Sequence, residues 1–199
     1  TSKYHWLKCL PIKEYKEILD SGDEIILEKY KNHLEKNLLF YIKELETIDN
    51  WYKKHSDYLL EVYNTFNNNY KASSLTLFIR EIEALIIQVM KIINIKYNLN
   101  INFTRTKYKK NDINSLKNKL NNIDCFPKDI PSIFGDSSAD KISINEKIGY
   151  LCGEYSDQRN EILHGESIDF ETDAKYCELL FIFMEIMDLY KHYEIIKKD

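Results

Sequence analysis

Apolar residues recur at steps of three and four along most of the chain, as they do on one face of an amphipathic helix. This spacing predicts helices over about residues 11–20, 23–48, 51–66, 73–97, 112–123, 143–164 and 172–197. Polar chain at 98–111 and proline-containing chain at 126–131 interrupt the pattern and are predicted to be irregular. The expected fold is all-α, an up-and-down helical bundle of about five to seven helices with one long loop.

Local signals mark several helix ends and one core stripe. The run of asparagines at 67–69 is predicted to end the helix before it, and Ser73 or Ser74 is the candidate N-cap of the next one. Gly165 is a natural C-cap for the helix over 143–164. The clearest core stripe is predicted on the helix over 73–97, at Leu75, Phe78, Ile82, Leu85, Val89 and Ile93.

Composition restricts the class of protein. The chain has 199 residues, 44% of them hydrophobic and 30% charged, which suits a folded domain and argues against disorder. A net charge of −4 means that the surface as a whole does not attract nucleic acid, so any RNA contact is expected to be local. Four scattered cysteines, no apolar run long enough for a bilayer and no signal-peptide pattern predict a cytoplasmic protein without a membrane partner. Because it opens Thr-Ser, the chain is expected to be a trimmed chain or the C-terminal part of a longer protein.

The segment Asp157–Gly165 carries the clearest candidate chemistry. Arg159 and His164 lie five positions apart, with Asn160 beside the arginine. Arginine grips phosphate with a permanently charged fork, and histidine moves protons near neutral pH, so the pair could handle a phosphodiester without a metal. Arg159 also occupies a place where the apolar stripe of its helix predicts a buried residue. The alternative is a structural arginine paired with a carboxylate, with His164 as an ordinary residue at a helix C-terminus.

Glu83 is the candidate partner of this arginine. It falls on the apolar band formed by Ile79, Ile86 and Met90, so an acid on one core stripe would meet a base on another inside the bundle. Such a pair would fix the orientation of Arg159. The alternative is that Glu83 lies at the edge of the solvent-facing side of its helix.

Helix geometry favours two copies of the chain. At about 100° and 1.5 Å per residue, Arg159 and His164 diverge by about 140° around the helix axis and about 7.5 Å along it. A single helix therefore does not focus both on one phosphate, whereas two copies related by a twofold axis would bring two of each into one cleft. Gly149 and Gly153 would allow a close helix approach, or are simply tolerated in a tight core. We expect a homodimer built around this helix.

The run Arg159-Asn160-x-x-x-His164, between two helices of an all-α chain and followed by Gly165, resembles the HEPN superfamily and its R-x4-6-H signature. The resemblance covers residues 71–199, with residues 1–70 as an N-terminal helical extension. The stretch around Glu83 also looks like the glutamate-bearing helix of larger HEPN branches, including the abortive-infection (ApeA-type) group. Some HEPN toxins have a tyrosine two residues after the histidine, where this chain has Glu166, so regulation by modification of that tyrosine is not expected.

The resemblance implies a metal-independent endoribonuclease that needs no cofactor and works as a dimer with a composite cleft. Arg159 and His164 would be the catalytic pair, and Asn160 a supporting polar residue. Such proteins serve in toxin–antitoxin, anti-phage and CRISPR-associated systems, so an antitoxin or sensor domain is a further expected partner. A non-catalytic helical module that binds a nucleotide, RNA or protein is the alternative function.

The best basic segment for RNA lies in the predicted loop and the chain just after it. Tyr108 could stack on a base, and the basic side chains around and after it could contact phosphates: Arg105, Lys107, Lys109, Lys110, Lys117 and Lys119. The alternative is a solvated loop with ordinary lysines. A metal site from His164, Asp169, Glu171 and Asp173 is less favoured, because acids at a helix N-terminus are explained by the helix dipole; a zinc site at His5 and Cys9 has too few ligands.

Overall fold

Helices dominate the part of the chain that the computed structural model describes, residues 23–98, 100, 129–131, 141–143, 160, 162–163, 170–193 and 195–196. Four helices have complete bounds in this part: α1 (Asp23–Glu46), α2 (Asn50–Asn67), α3 (Lys71–Lys96) and α4 (Asp173–His192). Two three-residue strands, β1 (Asp129–Pro131) and β2 (Lys141–Ser143), pair antiparallel with Ile130 opposite Ile142. Asn160, Ile162 and Leu163 are also helical.

The helical fold class predicted from the sequence is confirmed for these residues, apart from the small ribbon. The helices predicted over 23–48, 51–66 and 73–97 lie within two residues of α1, α2 and α3 at each end, whereas α4 ends five residues before the predicted 197. The ribbon was not predicted, because three-residue strands are too short to show a periodic pattern. The predicted start of a helix at Ser143 was wrong, because Ser143 is the last residue of β2. The helices predicted over 11–20 and 112–123 lie outside the described residues.

Side-chain caps are present at the starts of α2 and α4 but not at the start of α3. Asp49 caps α2, since its carboxylate accepts hydrogen bonds from the backbone N–H groups of Trp51 and Tyr52. The predicted stop at the asparagines holds, and Asn69 turns the chain with a φ of 67°, a conformation that asparagine tolerates. The predicted serine cap of α3 was wrong. The N-cap residue is Tyr70, with no side-chain cap bond, and the Ser74 hydroxyl donates instead to the Val62 carbonyl at 2.7 Å.

The first three helices run up, down and up, joined by short turns, and α4 runs in the same direction as α3. Nζ of Lys71, at the start of α3, lies 2.7 Å from Oδ1 of Asp173, at the start of α4. At the other end, the rings of Tyr97 and Tyr193 lie 6.4 Å apart. The two helices are therefore parallel. Helix α1 contacts α2 and α4, and α3 contacts the same two, so the four helices close into a ring.

The core lies between these four helices, and α4 supplies its longest buried run. Every residue from Tyr176 to Tyr190 is buried, which is typical of a helix surrounded by others. The predicted stripe of α3 is confirmed, because all six of its apolar residues are buried. The Tyr190 hydroxyl donates to the Leu85 carbonyl at 3.2 Å, and burial raises the pKa of the Cys177 thiol to about 12. That thiol is free and inert.

Helices α1 and α2 share this core with α3 and α4. A shared core does not place a domain boundary at residue 70 or exclude one there. The division into an N-terminal extension (1–70) and a HEPN-like part (71–199) therefore stays a prediction.

Three charged side chains join α1, α3 and α4 at one end of the bundle. The Asp173 carboxylate accepts hydrogen bonds from Lys71 at 2.7 Å and from Lys31 at 3.2 Å. Burial pushes the pKa of Asp173 upward, but the two lysines outweigh it, so the pKa lies below its usual value. Glu35 in the same cluster shows the opposite result, since burial is the largest influence and raises its pKa.

We expect Asp173→Asn to lower the melting temperature at neutral pH and to matter little in acid. The folded protein holds the ionised Asp173 more strongly than the unfolded chain does, where an aspartate has a pKa of about 3.9. This contribution is complete above that pH and is lost as the pH falls through the lower pKa of the folded state. Melting curves of variant and wild type should therefore converge below about pH 4. Asp57→Asn, at an exposed carboxylate of α2, is the control; an equal gap at every pH would contradict the expectation.

Candidate functional site

The predicted site residues are only partly described. Arg159 and His164 lie outside the described residues, as does the basic segment of Arg105, Lys107, Tyr108, Lys109 and Lys110. Asn160 and Glu83 are described. Asn160 is helical and half-buried, and Glu83 lies half-buried on α3. The catalytic pairing and the RNA-binding segment therefore stay predictions.

The described residues of the motif segment are attached to the core. Ile162 is buried and belongs to the main hydrophobic cluster, as the apolar stripe through Arg159 and Ile162 predicts. Leu163, which immediately precedes His164 in the chain, is 39% exposed. One helical turn of the motif segment thus has a buried face, anchored by Ile162, and an open face.

A pocket of about 600 Å³ lies between that open face and α3. Its described lining consists of Leu163 and six residues of α3: Ala72, Ser73, Thr76, Leu77, Arg80 and Glu83. The six recur at steps of three and four, so they form one stripe along the outer side of α3. Its volume is in the range of pockets that hold small molecules or single nucleotides. The lining combines a mostly apolar surface with one cation and one carboxylate.

Glu83 contributes to this pocket from beside the core. The apolar band predicted around it, Ile79, Ile86 and Met90, is buried, and the Oε1 atom of Glu83 is itself buried. Its side chain nevertheless lines the pocket that Leu163 also lines. The structure thus brings the predicted glutamate and the residue next to His164 to one place. The proposed contact between Glu83 and Arg159 falls outside the described residues on the arginine side.

The sequence reasoning missed a second group of polar residues on the same helix. Glu81 is completely buried, at 0% exposure. Its Oε2 accepts a hydrogen bond from Nδ1 of His55 on α2 at 2.5 Å. Its Oε1 accepts one from Nε of Arg80 at 2.9 Å and forms an ion pair with Nη2 of Arg80 at 2.7 Å. The Arg80 guanidinium also lies over the Tyr58 ring, 4.6 Å from its centroid. These four residues are called the Glu81 cluster below.

The Glu81 cluster stabilises a buried carboxylate and leaves two groups able to bind a ligand, Nε2 of His55 and part of the Arg80 guanidinium. A buried carboxylate is costly unless it is paired and hydrogen-bonded, and His55 and Arg80 supply that pairing. When Nδ1 of His55 donates to Glu81, its Nε2 is left for another partner. The Arg80 side chain is 56% exposed and has N–H donors beyond those on the side that faces Glu81. The cluster therefore holds the Arg80 guanidinium in a fixed position at the pocket.

One sequence signal could have found this cluster. Glu81 lies at a step of three or four from Phe78 and Leu85, both of which are completely buried. The periodicity that singled out Glu83 therefore applies at least as well to Glu81. The pairing with His55 has no such signal, because the two residues are 26 positions apart and on different helices.

No group of three or more His, Cys, Asp or Glu side chains within the described residues is arranged to hold a metal ion. None of the helices in that part is both long and apolar enough to cross a bilayer. Comparisons with protein-family models, curated proteins and solved structures gave no significant match. The class of protein is therefore defined only by features of the described residues: a helical bundle with a pocket that is lined by α3 and Leu163.

Proposed function

We propose that this protein is a metal-independent endoribonuclease of the HEPN type, acting as a toxin or anti-phage effector. One observation carries the proposal: Glu83 and Leu163, the neighbour of His164, line the same pocket. This pocket offers a substrate a place beside the Arg-x4-His segment, in the all-helical surroundings that the resemblance implies. Its volume suits a nucleotide, and its lining includes a cation for phosphate.

The proposed reaction is attack of an RNA 2′-hydroxyl on the adjacent phosphorus. The new bond closes a 2′,3′-cyclic phosphate, and the bond from phosphorus to the 5′ oxygen breaks to leave a 5′-hydroxyl. Arg159 stabilises the charge that builds on the phosphoryl oxygens. His164 takes the proton of the 2′-hydroxyl or gives one to the leaving oxygen, and Asn160 supports the pair. Glu83 orients Arg159.

The proposed active form is a homodimer through the motif helix, because one helix does not direct both catalytic side chains to one phosphate. One protomer then supplies the arginine and its partner the histidine. An antitoxin or sensor protein is the further partner, and the setting is the cytoplasm, where RNA is available.

The test is incubation of the purified protein with a pool of mixed-sequence RNA in the presence of EDTA. We expect cleavage of RNA but not of DNA, with 2′,3′-cyclic phosphate and 5′-hydroxyl ends. Cleavage that stops on chelation of metal ions, or that leaves 5′-phosphate ends, would overturn the proposed chemistry. Binding of RNA without any cleavage would instead support the alternative, a non-catalytic HEPN-like dimer.

The basic segment gives a separate expectation for RNA affinity. Replacing Lys109 and Lys110 with glutamine should weaken RNA binding and flatten its dependence on salt, because each phosphate contact releases a counterion. Fluorescence anisotropy with a labelled single-stranded RNA across a salt series measures both effects. Lys43→Gln combined with Lys91→Gln, at exposed lysines of α1 and α3, removes the same charge elsewhere. An equal loss in that control would show a general charge effect and not a contact by this segment.

A further inference from the structure

Arg80 is held in place more firmly than an exposed arginine usually is. Its Nε donates a hydrogen bond to the buried Glu81 carboxylate, its Nη2 forms an ion pair with the same oxygen, and the Tyr58 ring covers one side of the guanidinium. Glu81 is in turn fixed by His55 of α2. An arginine held in this way loses little conformational freedom on binding a ligand, which favours affinity.

The pocket places this guanidinium beside the motif segment. Arg80 and Thr76, one helical turn apart, line it from α3, and Leu163 lines it from the other side. A guanidinium carries five N–H donors, and only the side formed by Nε and Nη2 faces Glu81. The remaining donors suit the oxygens of a phosphate, which arginine binds with a planar fork.

The opposite charges in the pocket also set a direction. Glu83 lines it one turn beyond Arg80, and its negative charge repels phosphate and attracts hydrogen-bond donors. A ligand with a phosphate at one end and hydroxyl or amino donors at the other matches this arrangement. A ribonucleotide unit has this polarity, since its 2′-hydroxyl and base amino groups donate hydrogen bonds.

We propose that the pocket of Arg80, Thr76, Glu83 and Leu163 is a binding subsite for one nucleotide of single-stranded RNA, with Arg80 on its phosphate. This inference rests on the proposed RNA substrate and extends it, because it assigns a subsite that flanks the scissile linkage. Arg80 is a binding residue here, and the Glu81 cluster positions it.

The test measures RNA affinity in full-length protein that carries His164→Ala, so that cleavage does not consume the probe. A fluorescein-labelled single-stranded RNA oligonucleotide of mixed sequence is titrated by anisotropy at several salt concentrations. Thr76→Trp fills the pocket from an exposed position without touching Glu81, and should weaken binding about tenfold. Thr47→Trp is the matched control, at an exposed threonine in the turn between α1 and α2, at the other end of the bundle from Thr76. It should bind as the parent does.

Charge variants separate a phosphate contact from a structural role. Arg80→Gln should lower the slope of log affinity against log salt by about 0.7, the value for one phosphate of a single strand. Arg80→Lys should keep the slope. Lys91→Gln removes the same charge from an exposed position eleven residues further along α3 and should leave it unchanged. Thermal melting confirms that each protein is folded.

The inference is overturned if Thr76→Trp binds RNA as tightly as Thr47→Trp, or if Lys91→Gln lowers the slope as much as Arg80→Gln. It is also overturned if the parent protein binds no RNA. Its outcome is separate from that of the nuclease proposal, which is judged on protein with an intact His164. Pocket variants that weaken binding in a protein that never cleaves RNA would uphold the subsite and reject the nuclease.

Discussion

Replacing His164 with alanine is expected to slow RNA cleavage by about a thousandfold, the middle of the range for loss of a general acid or base. Replacing Arg159 with alanine should have an effect of about a hundredfold or more, because charge on the phosphoryl oxygens then lacks its cation. RNA affinity should change much less than the rate in the histidine variant. A single-turnover cleavage assay with excess protein separates the two quantities.

The two inactive proteins together test the composite cleft. If each protomer supplies one of the two catalytic groups, mixed dimers of the Arg159→Ala and His164→Ala proteins still contain one intact arginine and one intact histidine. Activity should then reappear when the two are unfolded together and refolded, and not when each is treated alone. Full activity in either single variant would remove the motif from the mechanism. Two inactive variants without recovery would place both groups within one protomer.

The second large effect concerns stability. His55→Leu should lower the free energy of unfolding by about 3 kcal/mol, because it leaves the buried Glu81 carboxylate with Arg80 alone. Adding Glu81→Met to that variant should recover most of the loss, since no charge is then buried and Arg80 is exposed enough to stay hydrated. Urea unfolding followed by circular dichroism, applied to the wild type, His55→Leu, Glu81→Met and the double variant, gives the four free energies of a double-mutant cycle.

His33→Leu is the control for this series. His33 is an exposed histidine of α1 within 3.1 Å of Asn37, so its loss removes a ring of the same kind without stranding a buried charge. A change within about 0.5 kcal/mol is expected there. If the double variant were as unstable as His55→Leu, the cost would come from packing and not from the unpaired carboxylate.

The buried stripe of α3 shows how far periodicity reaches. Its six apolar positions are all buried, because side chains three and four apart on a helix face the same way whatever surrounds them. The asparagine stop of α2 and the Thr172 cap of α4 are equally local signals. The prediction of a serine cap for α3 was wrong because the Ser74 hydroxyl donates to the carbonyl of Val62, twelve positions away.

At the candidate site, too, some features were predicted from the sequence and others depend on tertiary packing. The sequence alone placed Ile162 in the core and put an acidic residue on the apolar side of α3. The sequence pattern predicted Glu83 as the acidic residue on the core side, yet Glu81 is the carboxylate that is completely buried in the structure. The two lie about 160° apart around the helix, each near one edge of a wide apolar face. Only the position of α2 decides which edge is covered, since His55 reaches Glu81 from there.

The amino-acid sequence by itself determined where the helices α1 to α4 lie, which faces of α1 and α3 are apolar, and that an Arg-x4-His run stands in a helical setting. Tertiary packing decided that α4 runs parallel to α3, that Arg80 is held by a buried acid, and that Leu163 and Glu83 share a pocket. The reason is the range of the forces involved. Helix formation depends on residues within about one turn of each other, whereas burial and ion pairing depend on which distant surfaces meet.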